Sequence, residues 1–460
     1  MSGIPVRLAP AAITVIASAI ACSALQPGSD RMAANWPQWR GPLASGVSLT
    51  ANPPVEWSET RNVRWKAKLP GNGTSTPIVW DNFIFIQTAV PSAVRNDTAL
   101  SSGPQAASYQ VPGGRRGGFG GQRSLQPSEP YRFLVLCIDR NTGKTLWQKV
   151  VREEVPHEGH HPDHGYASHS PVTDGKYVYA YFGSRGLHCL DFKGNLRWSK
   201  DFGKMRTRMG FGEGGSPALY GNTIVVNWDH EGEDFIVALD KETGREKWRQ
   251  PREEPTSWST PLIVSHNGVP QVITSATNRI RSYDLQTGKL LWECSGMTAN
   301  TIPSPVHANG VVYATSGFRG NALLAIRLGK QGDLTGTDAI LWSHNRSTPY
   351  VPSPLLYGDR LYFFANNNGI LSCFDASTGK PILNAERIEE LQGVYASPVG
   401  AANRVYLVGR NGVTVVLKRS DRLEKLAVNR LEDGFDASPA LVGKDLILRG
   451  RQYLYCISAP

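Results

Sequence analysis

Residues 353–383 read SPLLYGDRLYFFANNNGILSCFDASTGKPIL, and this stretch contains one complete structural repeat. Its apolar runs are separated by turns rich in Gly, Asn and Asp at 357–359 and 366–369, and a third turn at 375–380 leads into a last strand. Short apolar runs joined by such turns indicate hairpin-linked strands. Four strands of this kind predict one blade of a β-propeller.

A Ser-Pro or Thr-Pro dipeptide opens this stretch and seven other segments of the chain. From the second dipeptide onward, the prolines lie 46, 44, 44, 49, 44 and 41 residues apart. A period of about 40–50 residues is typical of propellers and solenoids. The repeat therefore predicts an all-β, eight-bladed β-propeller of four-stranded antiparallel blades. The dipeptides are Thr76-Pro77, Ser170-Pro171, Ser216-Pro217, Thr260-Pro261, Ser304-Pro305, Ser353-Pro354, Ser397-Pro398 and Ser438-Pro439.

The third turn of the repeat carries the pattern D-x-x-T-G, followed by a tryptophan on the next strand. An Asp carboxylate accepts backbone N–H groups across a turn, and Gly supplies the positive φ that a bulged hairpin needs. We expect each tryptophan to pack its blade against the neighbouring blade, because it follows the turn in register; a ligand-lining role is the alternative. The pattern begins at Asp139, Asp240, Asp284 and Asp375, and the tryptophans are Trp147, Trp198, Trp248, Trp292 and Trp342.

The last repeat stops after three strands, ending at 453–457, and the missing strand is present near the other end of the chain. Residues 62–69 place Trp65 in the tryptophan position with no blade before it. We predict that this N-terminal strand completes the eighth blade and closes the ring, which removes exposed sheet edges. The propeller domain is then expected at 62–460, after an N-terminal lead-in at 26–61.

Residues 1–25 have the features of an export signal, with Arg7 before an apolar stretch that ends in Ala19-Ile-Ala-Cys22. Two outcomes remain open, soluble export after Ala-x-Ala cleavage or a lipid anchor at Cys22. We expect an exported protein of the periplasm or cell envelope. The Gly-, Ser- and Arg-rich insertion at 91–130 in blade one is predicted to be a disordered loop.

Four cysteines occupy the same third-strand position of four blades, where Ala238 stands in a fifth: Cys137, Cys189, Cys373 and Cys456. A position that accepts Ala or Cys indicates a small buried packing site, with a disulfide or metal as the alternative. The net charge of +10 favours acidic partners. Export disfavours nucleic acid, and we expect a monomer.

The D-x-x-T-G-K turn followed by Trp, repeated around a ring, resembles the pyrroloquinoline quinone (PQQ) propeller repeat. Quinoprotein alcohol dehydrogenases and the noncatalytic outer-membrane assembly protein BamB share this repeat. The segment WPQWRGP at 36–42 is similar to the start of exported PQQ-like proteins of planctomycete-type bacteria. The resemblance covers about residues 36–458 and implies the fold more strongly than the chemistry.

The resemblance also implies what a PQQ site would need. The dehydrogenases hold PQQ against a disulfide of two adjacent cysteines, with a stacked Trp, a calcium site of Glu, Asn and Asp, and a catalytic Asp. No Cys-Cys pair occurs in this sequence. No G-x-S-x-G motif and no Gly-rich phosphate loop precedes a helix, so we assign no catalytic residue.

The loops that join blades, and the second turn of each blade, are expected to gather on one face around the axial funnel. Binding residues commonly lie on such loops over a rigid scaffold. Aromatic, Arg and Asn side chains there suit a sugar polymer or an anionic peptide; the alternative is that they only cap the funnel. The candidate ligand-binding residues are Tyr166, His169, Arg185, Arg206, Arg208, Asp229, His230, Trp258, Asn278, Arg279, Arg319, Tyr350, Tyr395, Arg410 and Asp436.

The densest cluster of metal-ligating residues is HEGHHPDH at 157–164. Its histidines, His157, His160, His161 and His164, suit zinc or copper. The alternative is a solvated or stacking loop, because histidines this close together seldom converge on one ion.

Taken together, the sequence favours a noncatalytic, exported binding or scaffold module for an envelope protein or an anionic polymer. The alternative is an oxidoreductase that uses PQQ or a divalent metal in the propeller funnel.

Overall fold

The computed structural model describes residues 27–92 and 126–459. Its strands form eight sheets, which confirms the predicted all-β propeller of eight antiparallel blades. The innermost strand of every blade begins one residue after a Ser/Thr-Pro dipeptide, because proline has no N–H to give to a sheet ladder. The predicted export signal and Cys22, and residues 93–125 of the insertion, lie outside the described residues.

The N-terminal strand and the first three blades contain the following strands: β1 (Val63–Lys68), β2 (Ile78–Trp80), β3 (Phe83–Pro91), β4 (Tyr131–Asp139), β5 (Thr145–Glu154), β6 (Val172–Thr173), β7 (Tyr177–Tyr181), β8 (Leu187–Asp191), β9 (Leu196–Lys200), β10 (Ala218–Tyr220), β11 (Thr223–Trp228), β12 (Phe235–Asp240) and β13 (Glu246–Pro251). Blades four to six contain β14 (Leu262–His266), β15 (Val269–Ser275), β16 (Ile280–Asp284), β17 (Leu290–Cys294), β18 (Val306–Ala308), β19 (Val311–Ser316), β20 (Ala322–Arg327), β21 (Gly332–Asp333), β22 (Ile340–His344), β23 (Leu355–Tyr357), β24 (Arg360–Phe364), β25 (Ile370–Asp375) and β26 (Pro381–Arg387). Blades seven and eight contain β27 (Val399–Ala401), β28 (Arg404–Val408), β29 (Val413–Lys418), β30 (Lys425–Arg430), β31 (Ala440–Val442), β32 (Asp445–Arg449) and β33 (Tyr453–Ser458).

The ring closes as predicted, because β1 pairs antiparallel with β33 and forms the outer strand of the eighth blade. Trp65 on β1 lies opposite Cys456. One sheet differs from the four-stranded pattern, because blade four has a fifth strand. This strand, β21, lies between β20 and β22 of blade five in the sequence, but it pairs in parallel with β17 at the outer edge of blade four.

The Asp-Gly turns and the tryptophans together join neighbouring blades. At Asp240, one carboxylate oxygen accepts the backbone N–H and the hydroxyl of Thr243, as the pattern predicts. The indole N–H of Trp198, in the preceding blade, donates to the Lys241 carbonyl at 3.0 Å. Gly244 has φ +70, and a Cβ there would lie 2.7 Å from the Trp198 ring. The indoles of Trp65, Trp147, Trp248 and Trp342 donate to the next blade in the same way.

Trp292 departs from this pattern, since its indole donates to the Gln271 side chain of its own blade at 3.1 Å. The next blade carries the β20–β22 connection in place of an Asp-Gly turn at this position.

The same tryptophans explain why a small residue, Cys or Ala, occupies one position of the third strand. Cys137 pairs across strands with Trp147, Cys189 with Trp198 and Ala238 with Trp248, so a small side chain leaves room for the indole. The described cysteines are all free and buried, which confirms the packing interpretation. Burial raises the pKa of the Cys137, Cys189, Cys373 and Cys456 thiols to about 12.

The lead-in, predicted at 26–61, begins in the described residues with a short helix, α1 (Pro27–Ala33), and then packs against the inner strands. Trp36 bridges to Val79 of blade one, and Val47 bridges in parallel to Gly400 of blade seven. Between these points Arg40 reaches the Pro354 and Pro398 carbonyls, each at 2.8 Å. The lead-in therefore crosses the channel and closes it at the level of the Ser/Thr-Pro residues.

None of the helical segments in the described residues has the length and apolar character needed to cross a bilayer.

Candidate functional site

The Ser/Thr-Pro residues form a hydrogen-bonded circle around the propeller axis. The backbone N–H of each donates to the side-chain hydroxyl of the next, at 2.8–2.9 Å, in seven consecutive steps from Thr76 to Ser438. A neighbouring hydroxyl thus satisfies the N–H at the top of seven of the eight inner strands. This explains why Ser or Thr precedes the proline in the seven repeats whose hydroxyl accepts such a bond.

Above this circle lies an axial cavity of about 970 Å³, with lining residues from all eight blades. Trp39, at the tip of the lead-in, is also part of its lining. Its volume is at the upper end of the range typical of ligand sites, about 300–1,000 Å³. The lining includes Thr76, His161, Asp163, His164, Ser170, Arg208, Met209, Phe211, Ser216, Trp258, Thr260, Asn300, Ile302, Phe318, Arg319, Tyr350, Val351, Asn366, Asn367, Tyr395, Ser397, Asp436 and Ser438.

Six of the fifteen candidate ligand-binding residues line this cavity: Arg208, Trp258, Arg319, Tyr350, Tyr395 and Asp436. Each lies on a link between blades or on a second turn, which the propeller topology directs to one face. A seventh, Arg410, lies behind the wall and donates to Asp436 at 2.6 Å and to Asp163 at 2.7 Å.

The other eight candidates lie outside the lining of this cavity. Asp229 is fully buried and pairs with Arg252 at 2.6 Å, so its charge is already compensated. His230 accepts the Arg206 N–H at Nδ1 and donates from Nε2 to the Glu233 carbonyl. Burial lowers the pKa of His230, which is consistent with this neutral form.

Three further candidates are used at the edges of the loops. The guanidinium of Arg206 donates to the Glu231 carbonyl. Asn278 donates from its side chain to the Glu253 carbonyl, and Arg279 pairs with Asp333 at 2.9 Å.

Tyr166, His169 and Arg185 form a separate buried cluster beside a cavity of about 10 Å³. Arg185, in a short 3₁₀ turn (Gly183–Arg185), pairs with Glu213 at 2.8 Å. Both ring nitrogens of His169 are buried without a hydrogen-bond partner among the described residues. Burial lowers the pKa of His169 to about 3, so the ring is neutral at physiological pH.

The histidine-rich segment, residues 157–164, forms a strap that spans part of the funnel mouth. On one side, His157 Nε2 contacts the Met205 carbonyl at 2.6 Å and Glu158 accepts the Thr207 N–H at 3.0 Å. On the other side, Asp163 accepts hydrogen bonds from Arg410 and Tyr395 of blade seven. These bonds lower the pKa of Asp163 although burial opposes the charge.

The four strap histidines bond mainly to backbone groups nearby. His160 Nδ1 contacts the His161 carbonyl at 2.8 Å, while His161 Nδ1 accepts the Asp163 N–H at 3.1 Å. His164 Nδ1 contacts Ser168 Oγ at 3.0 Å. Within residues 27–92 and 126–459, no three His, Cys, Asp or Glu side chains are placed to hold one metal ion. The strap therefore does not fit the metal site that its composition suggests.

One wall of the cavity is aromatic. Phe318 and Tyr350 stack with ring centroids 5.0 Å apart, and the Arg319 guanidinium lies 5.4 Å from the Phe318 centroid. The indole N–H of Trp258 donates to the Gly212 carbonyl at 2.8 Å, which orients the ring at the wall. Such a wall accepts an apolar or aromatic group of a ligand.

Sequence reasoning missed several lining residues. Met209, Ile302 and Val351 lie on links between blades, where an apolar residue gives no signal of a binding role. Trp39 belongs to the WPQWRGP segment at 36–42. Its two tryptophans and its arginine, in a stretch outside the repeat, were the available signal that the lead-in is packed against the propeller.

A family model described as "Outer membrane protein assembly factor BamB" matches residues 132–382 and 235–459, together more than half of the chain. The chain belongs to this family. A BamB from Francisella salina is 30% identical over 98 residues, which is 21% of this chain and 17% of that relative. The match to this curated relative thus spans less than a fifth of the relative's length.

Two solved structures show the same architecture. BamB from Moraxella catarrhalis has a TM-score of 0.50 at 14% identity, covering 70% of this chain and 91% of its own. The quinohemoprotein alcohol dehydrogenase from Comamonas testosteroni has a TM-score of 0.58 at 11% identity, covering 93% and 81%. At these identities the likeness shows the fold alone.

The residues of the cavity do not fit PQQ as the dehydrogenases hold it. The described cysteines lie in five different blades, and none of them lines the cavity. The two aspartates of the lining, Asp163 and Asp436, are both occupied by Arg410. The adjacent cysteines and the free carboxylates of a quinone and calcium site therefore have no counterpart in this lining.

Proposed function

We propose that this chain is a noncatalytic binding module of the bacterial envelope, and that it binds another envelope protein at the loop face around the axial cavity. Family membership supports this assignment, since the family model and the Francisella relative are both named as outer membrane protein assembly factors. The export signal expected at residues 1–25 agrees with an envelope location.

The axial cavity is the observation that carries the proposal. It is lined from all eight blades, and Trp39 of the lead-in is part of its lining, so we expect a partner to enter it from the loop face. Met209 of the lining is 44% exposed, and aromatic side chains form one wall of the same cavity. Concave sites lined by apolar and aromatic side chains with a few polar groups are typical binding sites.

Site-specific photo-crosslinking in the native envelope tests the proposal. A photoreactive amino acid replaces Met209 at the cavity rim, and in a matched control it replaces Val269, which is 42% exposed at the opposite end of blade four. We expect one discrete crosslinked protein from position 209, none from position 269, and a weaker product when Phe318→Ala removes part of the wall. Equal crosslinking from both positions, or none from position 209, contradicts the proposal.

A further inference from the structure

We infer that the axial cavity binds an acidic peptide segment of the partner protein, with carboxylates held by arginines and hydroxyl groups and an apolar side chain on the aromatic wall. The inference rests on the proposed function and specifies the chemistry of the partner.

The circle of hydroxyl groups presents hydrogen-bond donors to the cavity. Five lining residues each accept an N–H from the preceding blade: Ser170, Ser216, Thr260, Ser397 and Ser438. In the part of the chain that the structure describes, their own O–H groups donate to no protein acceptor. A hydroxyl carries one donor, so each is available to a ligand oxygen.

Positive charge around this circle is not balanced by carboxylates. Arg40, 2% exposed under the cavity, donates only to carbonyls, those of Ser45, Pro354 and Pro398. Arg449 is equally buried and donates to Ser75, the neighbour of Thr76. Burial lowers the pKa of both arginines to about 9, so both remain charged at physiological pH.

Two more arginines, Arg208 and Arg319, line the cavity itself. Over residues 27–92 and 126–459, neither guanidinium pairs with a carboxylate. The only acidic residues of the lining, Asp163 and Asp436, are already bound by Arg410, and Asp436 also by Arg451 at 3.0 Å. The cavity is therefore a concentration of donors and cations, and buried cations of this kind favour a bound anion.

A carboxylate-rich peptide fits this lining better than a neutral sugar polymer does. A sugar offers hydroxyl groups that gain little from uncompensated arginines, whereas carboxylates pair directly with Arg208 and Arg319 of the lining and are attracted by the buried charges of Arg40 and Arg449. The stacked Phe318 and Tyr350 beside Arg319 then place an apolar contact next to an anion contact. A peptide that carries acidic residues on both sides of an aromatic residue matches this arrangement.

Calorimetric titration of the full chain tests the inference with three probes: the blocked peptide acetyl-Glu-Asp-Phe-Glu-Asp-Gly-amide, its Gln/Asn counterpart, and inorganic phosphate. We expect binding of the acidic peptide, at least about tenfold weaker binding of the amide counterpart, and weakening of the acidic complex with added salt. Equal binding of both peptides, or no binding of the acidic one, overturns the inference. Phosphate that binds as tightly as the acidic peptide and displaces it also overturns it.

Matched variants locate the binding. The double variant Arg208→Gln/Arg319→Gln removes two charges from the cavity, and Arg245→Gln/Arg327→Gln removes two exposed charges from the opposite ends of blades three and five. We expect the Kd of the acidic peptide to rise at least about tenfold in the first and less than about twofold in the second. Equal losses in both overturn the inference. If the acidic peptide does not bind but crosslinking from position 209 gives one discrete product, the proposed function stands and only the acidic nature of the partner segment is wrong.

Discussion

Replacing Gly244 by Ala should destabilise the propeller far more than the same change at Gly221 in the same blade. Both glycines have positive φ, +70 and +56, so both variants share the cost of about 1–2 kcal/mol for Ala in that conformation. At Gly221 the added Cβ meets nothing within 4 Å, whereas at Gly244 it lies 2.7 Å from the Trp198 ring. Carbon atoms in contact are normally about 3.5–4.0 Å apart, so the indole must move by about 1 Å.

The displaced indole sets the size of the effect. Overpacking costs about 1–3 kcal/mol, and loss of the 3.0 Å hydrogen bond from Trp198 to Lys241 adds about 1 kcal/mol. We therefore expect the free energy of unfolding to fall by about 3–6 kcal/mol for Gly244→Ala and by about 1–2 kcal/mol for Gly221→Ala.

Urea denaturation followed by circular dichroism measures both changes, and a double-mutant cycle with Trp198→Ala isolates the contact. Without the indole, Gly244→Ala should cost only the about 1–2 kcal/mol of its backbone conformation. If the two glycine variants are equally destabilised, or if the cost at Gly244 is the same with and without Trp198, the inter-blade anchor described above is wrong.

Three further predictions concern the site and its surroundings. Burial lowers the pKa of His169 from 6.5 to about 3. Below pH 6.5, the imidazole of His169 therefore binds a proton in the unfolded chain but stays neutral in the folded chain. Stability should therefore fall as the pH drops from about 6.5, by about 2 kcal/mol at pH 5 for this residue, and His169→Leu should reduce that loss in urea titrations at pH 7 and pH 5. Asp163→Asn should accelerate hydrogen exchange in the strap while changing the free energy of unfolding by less than about 1 kcal/mol, whereas Asp338→Asn, in an exposed ion pair, should leave strap exchange unchanged. Dialysis against a chelator should leave Tm unchanged, and a clear drop that added zinc or copper reverses would show that the strap histidines rearrange around a metal.

The repeat made much of the architecture predictable, because each blade uses the same local chemistry. The spacing of Ser/Thr-Pro marks where inner strands begin, and the Asp-Gly turn marks a hairpin whatever blade carries it. Trp65 could be assigned to blade eight because a tryptophan in that position always follows a third strand. Trp292 shows the limit of this logic, since the acceptor belongs to the next blade and that blade has a different turn there.

The site was predictable only as a face of the molecule. Arg208 and Asp229 look alike in the sequence, as polar residues on loops of blades two and three. Asp229 pairs with Arg252, 23 residues away, while among the residues that the structure describes no carboxylate pairs with the guanidinium of Arg208. The type of a side chain does not reveal whether the fold supplies an ion-pair partner for it. Selecting polar residues on loops therefore gave both cavity-lining residues and residues that are paired within the fold.

The number of blades and the closure of the ring can be read from the amino-acid sequence, because they follow from turns and pairings that span few residues or recur in register. The remaining features depend on contacts between distant parts of the chain. The tertiary structure placed the lead-in across the channel beneath the cavity and brought Asp163 to Arg410, 247 residues apart, so that one charge cancels the other. Whether a charge is free to bind a ligand depends on which distant groups the closed ring brings beside it, and that arrangement has no local signature.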